Sequence, residues 1–190
     1  MPTHEIYNNA DQIDYMGNIF NISSHDGSTH GLQLGGVLVT LTGSELNNGG
    51  GDVSVRLVNQ TASTMTPSQV THDSRIITLN RAAGIAVTLP AATGSGMRLT
   101  FIIGTTITSN TTTFTAAGAD TIGGFQTIVK TGTTTANVYP ITITSTVLTL
   151  NGTTKGGIIG DKIEFLDLAS AQWIATETLQ GSGALESNFT

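Results

Sequence analysis

Between residues 75 and 104 the chain reads RIITLNRAAGIAVTLPAATGSGMRLTFIIG, and its apolar side chains fall on alternate positions in three successive runs. Ile77 and Leu79 make the first run, Ile85, Val87 and Leu89 the second, and Leu99, Phe101 and Ile103 the third. A period of two puts one set of side chains on a buried face and the other toward solvent, which predicts three strands of a half-buried sheet. Residues 80–84, NRAAG, fit a short hairpin connection, because Asn and Gly accept the positive backbone dihedrals of tight turns. Pro90 ends the second strand, and residues 91–96 form a small passage into the third.

The same alternation recurs along the chain. Leu32 and Leu34 lead through Gly35-Gly36 into residues 37–41, a hairpin or bent strand pair, followed by a helical turn capped at Ser44 with Glu45 in its first turn. The NNGGG of residues 47–51 reads as a hinge or tight loop. Val53, Val55 and Leu57 predict another strand, residues 59–72 a polar connection, and residues 105–115 a threonine-rich stretch with Ile107 and Phe114 facing inward. Asn151-Gly152 is the strongest two-residue hairpin signal in the sequence. Ile163, Phe165 and Leu166, then Trp173 and Ile174, form a closing hairpin in which Trp173 either plugs the core or sits between subunits. Gly181-Ser182-Gly183 then releases the remaining residues.

Strand signals about every ten residues, with no long amphipathic helix, predict an all-β fold: an antiparallel β-sandwich or jelly-roll-like domain. The expected organisation is an N-terminal segment over residues 1–31, a short β/turn connecting region over 32–72, the β-domain over 73–183 and a polar C-terminal tail over 184–190. Residues 1–31 hold no Lys or Arg and carry isolated apolar side chains, Ile6, Tyr7, Ile13, Tyr15, Ile19, Phe20 and Ile22. With little periodicity of their own they read either as an extended arm docking on another surface or as an irregular strand on their own domain. Leu32, Leu34, Leu38, Phe101, Phe165 and Trp173 are the candidates for core or subunit packing.

Composition narrows the function. The chain has 190 residues, of which 11% are charged, with a net charge of −6; soluble domains usually carry about a quarter charged residues. Thr, Ser, Asn and Gly take the place of the missing charges. Seven scattered basic residues leave no electropositive track, so nucleic acid is not an expected partner. With no cysteine, disulfides and thiolate metal sites are excluded. No apolar run approaches the roughly 20 residues needed to span a bilayer, and no basic segment followed by an apolar one opens the chain, so a soluble protein without a standard export signal or membrane partner is expected. The Asn-x-Ser/Thr triplets at Asn21, Asn59, Asn110 and Asn151 read as chance matches in a chain so rich in Asn and Thr.

Chemical constellations are sparse. His25-Asp26, His30 and His72-Asp73 match no compact ligand motif and read as solvated loop residues, so no metal is expected. The best carboxylate pairs are Glu164 with Asp167 and Asp161 with Glu164; strand parity turns Glu164 to solvent and places Asp167 near a hairpin turn, and few aromatics stand by to hold a sugar. No Ser or Thr has an orienting His in a recognisable elbow. Gly94-Ser95-Gly96 and the glycines of residues 156–160 imitate phosphate-cradling loops but lack the following helix and Lys, and read as turns. The threonines of residues 111–115 read as a solvated strand face rather than a glycan-facing array. No catalytic residue and no cofactor is expected.

The phrases LQLGGVLVTLTGSELN, RIITLNRAAGIAVTLPAATGSGMRLTFIIGTTITSN and LNGTTKGGIIGDKIEFLDLASAQWIATETLQGSG resemble small structural proteins of tailed bacteriophages, the head decoration or cement proteins. The resemblance covers most of residues 32–183 and is most specific where ITLNRAAGIAVTLPAATGSG is combined with the later GDKIEF and Trp173. It implies a non-enzymatic homotrimer on the outer surface of the virion capsid, bound to the major capsid protein through the N-terminal segment, with β-domains around a three-fold axis. Related wording in phage fibre and tail proteins implies, as the alternative, a module binding a host receptor or glycan.

Overall fold

The computed structural model describes residues 57–189 and two short strands at 33–34 and 37–38. The chain divides into two units, Met1–Ser54 and Val55–Thr190. In the first, β1 (Gln33–Leu34) and β2 (Val37–Leu38) pair antiparallel with Leu34 opposite Val37, the strand pair that the Gly35-Gly36 interruption predicts. The arm candidates Ile6, Tyr7, Ile13, Tyr15, Ile19, Phe20 and Ile22, together with Leu32 and the helical turn at Ser44, lie outside the described residues.

The second unit begins with β3 (Leu57–Gln60), β4 (Thr64–Met65), a single helical turn α1 (Gln69–His72), β5 (Arg75–Leu79), β6 (Ala86–Thr88), β7 (Arg98–Ile103) and β8 (Thr112–Thr115). These six strands alternate between two sheets. β3, β5 and β7 lie side by side in one, β4, β6 and β8 in the other, and every neighbouring pair among them is parallel. The chain therefore winds as a coil of three rungs. The remaining strands are β9 (Thr121–Lys130), β10 (Ala136–Ser145), β11 (Val147–Leu150), β12 (Lys162–Ala169) and β13 (Gln172–Gly181). They complete a seven-stranded sheet in the order β10-β9-β13-β12-β7-β5-β3 and a four-stranded sheet in the order β11-β8-β6-β4. β13, the last strand in sequence, lies between β12, antiparallel to it, and β9, parallel to it.

All-β character holds, but both sheets are mixed, which corrects the expectation of antiparallel sheets. The cause is visible at NRAAG. Both edges of β5 are taken by the parallel strands β3 and β7, so β6 cannot fold back on it and joins the small sheet instead. Residues 80–84 form a corner, in which Gly84 donates to the Arg81 carbonyl at 3.1 Å and holds a φ of +74°. A Cβ there would lie 2.1 Å from the Thr111 carbonyl oxygen, so the corner needs glycine. Asn151-Gly152 is likewise no hairpin: β11 pairs with β8 and β12 with β7 and β13. Asn151 instead organises a local turn, its Oδ1 accepting from the Thr153 and Lys155 amides.

Within each strand the alternation holds residue by residue. The eight apolar side chains of the opening pattern, from Ile77 to Ile103, are all at most 2% exposed. Phe114 of β8 brings the small sheet against the large one: its ring centroid is 4.9 Å from Phe101 of β7 and 5.3 Å from Phe165 of β12. Phe165 in turn meets Trp173 of β13 edge-on at 6.4 Å. Trp173 is fully buried, and its indole N–H donates to the Pro90 carbonyl at 3.2 Å. Replacing Phe114 with Ala is expected to cost about 3–5 kcal/mol in urea unfolding; a loss below about 1 kcal/mol would show that the sheets are held together elsewhere.

Candidate functional site

Glycine-rich loops that imitate anion cradles do hold anions, and those anions are the protein's own carboxylates. Parity along β12 carries Asp167 to the inner face beside Phe165, where it is 2% exposed. Its Oδ1 accepts from the Gly94 amide at 2.8 Å, and its Oδ2 accepts from the Ser95 amide at 3.0 Å and the Ser95 hydroxyl at 2.7 Å. The Thr93 amide is shared between both oxygens at 3.1 Å. Gly94 sits at φ +78°, which turns successive N–H groups toward one point, the geometry of a backbone nest. Burial pushes this carboxyl upward, and the hydrogen bonds of Ser95, Gly94 and Thr93 together outweigh it, leaving the group at about 2.

The loop over residues 156–160 is closed in the same way. Asp161 Oδ2 accepts from the Gly157 amide at 2.7 Å and the Ile158 amide at 3.0 Å, and Oδ1 from the Gln180 amide at 2.8 Å. Here burial wins, raising the group to about 6 against the three amide bonds. Asp120 contributes a third such contact, accepting from the Ala92 amide at 2.7 Å.

These assignments dissolve the carboxylate pairs. Glu164 stands on the outer face of β12 in an ion pair with Lys162 at 2.9 Å, while Asp161 and Asp167 are buried and engaged with loop amides. Neither pair can share a substrate. His72 lies on α1 with its Nδ1 accepting from the Ser68 amide at 3.1 Å, and Asp73 accepts from the Arg98 amide at 2.8 Å. His4, His25 and His30 lie outside the described residues, among which no cluster of three metal-ligating side chains occurs. Thr112, inside the threonine run, is buried and accepts from the Ile85 amide at 3.1 Å. Among the described residues no helix is long and apolar enough to cross a membrane.

Two features escaped the sequence pattern. The first is the outer face of the seven-stranded sheet. Phe125, Thr176, Glu164, Thr100, Ile76 and Leu57 stand in one row across six adjacent strands. Phe125, Ile76 and Leu57 are 47%, 44% and 54% exposed. In the next row Val138 is also exposed, and Lys162 pairs with the Glu164 of the first. The signal for this face was present wherever apolar residues occupy both parities, as in Ile76-Ile77 and Ile102-Ile103.

The second feature is at the C-terminus. Residues 184–189 are no free polar tail, because they return over the domain as a strap. Leu185 and Phe189 pack on the core, Phe189 bridges Leu148 of β11, and the Thr149 amide donates to the Asn188 carbonyl at 2.8 Å. The Tyr139 hydroxyl donates to the Leu185 carbonyl at 2.9 Å. Asn188 is fully buried, its amide donating to Gln126 Oε1 at 3.3 Å and its side-chain Nδ2 to Glu177 Oε2 at 2.5 Å. Glu177 and Gln126 are buried neighbours across the β13–β9 ladder.

No protein-family model, curated protein or solved structure matches the chain.

Asp167 makes a clear pH prediction. A carboxyl lowered from 3.8 to about 2 adds stability that is present above its unfolded value and disappears as pH falls through the folded one. Asp167→Asn should therefore lower stability by about 2–3 kcal/mol at neutral pH, and the gap to the wild type should close as pH falls from 3.8 toward 2. Unfolding curves at stepped pH measure this, and a gap that stays constant across that window would contradict the role of the ionised nest.

Proposed function

We propose that this chain is a non-enzymatic capsid decoration, or cement, protein of a tailed bacteriophage, bound as a homotrimer to the outer surface of the head, where it joins capsomers through the major capsid protein. In this reading the two facing sheets are a rigid sandwich-like body and residues 1–31 are the capsid-binding arm. The observation that carries the reading is the outer face of the seven-stranded sheet, a broad surface of Phe125, Ile76, Leu57 and Val138 among threonines, crossed by the Lys162–Glu164 pair. Such a face can be pressed against another protein with little desolvation cost, since few charges have to leave water. The fate of the buried carboxylates supports the non-enzymatic part: Asp161 and Asp167 are spent on fixing loops. Bridging subunits add buried area across joints in a shell, and their binding stabilises the assembled state by mass action.

The test is to mix purified full-length protein with undecorated tailed-phage heads and follow co-sedimentation, with light scattering for the oligomer. A trimer that co-sediments is expected. Removal of residues 1–31 should leave the trimer but abolish capsid binding. Phe125→Asp combined with Ile76→Asp should keep the circular dichroism of the wild type and weaken trimer or capsid contact about 10-fold or more. A monomer that ignores heads but binds host cells or glycans saturably would transfer the chain to the fibre-module reading.

A further inference from the structure

The contact that docks the C-terminal strap is short of hydrogen. An ionised Glu177 can only accept hydrogen bonds. Its Oε2 takes the Asn188 Nδ2–H, but Oε1 has no donor, and neither has the Asn188 carbonyl oxygen Oδ1; the facing Gln126 Nε2, also buried and unpaired, makes a hydrogen bond to neither. Carboxyl and amide are both planar forks, and when one arm of each is already joined the arms left over are Oε1 and Oδ1. Two acceptors cannot satisfy one another. A single proton on Oε1 resolves both, because a neutral carboxylic acid donates to the amide oxygen while accepting from the amide nitrogen.

We infer that Glu177 is carried as a neutral carboxylic acid, and that its two-bond pair with Asn188 is a proton-operated latch holding residues 184–189 across the edge of β11. The surroundings favour the proton. Burial is the main influence raising Glu177, to about 8; the Asn188 hydrogen bond lowers it and the negative charge of Asp161 raises it further. On β9 the facing group is the uncharged Gln126 amide, on β12 it is Ile163, and β10 presents the Tyr139 hydroxyl to the strap. On the solvent side of the strap Glu186 lies 4.0 Å from Lys155.

The sign follows from the raised value. A carboxyl whose folded pKa lies above its ordinary 4.5 contributes most at low pH, and the contribution is lost as pH rises through about 8. Ionisation places a charge against the Asn188 oxygen, so the strap leaves and bares the edge of β11 that Phe189 and Asn188 had covered.

Hydrogen–deuterium exchange on the full chain, corrected for the intrinsic chemical rate, tests the latch at about pH 6 and about pH 10. Protection of residues 184–189 and of the Thr149 amide should fall about 10-fold or more at the higher pH. Glu177→Gln, which can donate and accept as the neutral acid does, should keep its protection at both. Equal protection of the wild type at the two pH values, or the same loss in Glu177→Gln, would overturn the latch. Should that variant not fold, infrared spectroscopy of the wild type decides: a protonated-carboxyl band present at neutral pH and gone at about pH 10 supports it, and absence of the band at neutral pH refutes it.

Discussion

Phe114 belongs to the four-stranded sheet, yet its ring rests between Phe101 and Phe165 of the seven-stranded one. Among the described residues the inner faces of the two sheets share one core. The small sheet has strands of two to four residues, too little ladder to stand alone. Each rung of the coil crosses between the sheets, so the spacing fixed by these rings also sets the height of every corner. The corners are where buried amides would go unpaired, and there the protein places its inward carboxylates: Asp120 at Ala92, Asp161 at Gly157 and Ile158, Asp167 at residues 93–95. Ring packing and carboxylate caps thus solve one problem from two sides, since the first holds the sheets and the second holds the turns between them.

What the sequence made legible was local. Period-two alternation identified the inward side chains from Ile77 to Ile103, because which face a side chain takes depends only on its neighbours in the strand. Partner choice is not local. NRAAG and Asn151-Gly152 encode reversals of direction, but which strand follows into which sheet is decided by edges already occupied. Asp167 shows the same boundary: its inward parity with Phe165 could be read, whereas its donors lie more than seventy residues earlier at Thr93, Gly94 and Ser95. The strap was missed because Glu186, Ser187 and Asn188 read as solvated text, although Leu185 and Phe189 on either side are apolar.

Scarcity of charge gives the surface its character. Neutral, threonine-rich strands keep the outer sheet face wet without strong solvation, and exposed Phe125, Ile76 and Leu57 stand among them, open to a partner. Of the buried carboxyls, Asp120, Asp161 and Asp167 accept from backbone amides of loops, whereas Glu177 meets the side-chain amide of Asn188, where the last residues meet the core.

The position of β13 carries a consequence for the order of events during synthesis. Without it the large sheet is two fragments, β10-β9 on one side and β12-β7-β5-β3 on the other. The three-rung coil can collapse early, as its rungs are neighbours in sequence. The sheet that gives the domain its breadth stays divided until residue 181 has been made and β13 slides in beside the parallel strand β9. Parallel pairing of distant segments is slow to form. In the interval the facing edges of β9 and β12 are open to strands of other chains, so a nascent population of this protein has to be protected by dilution or by prompt completion of its final strand.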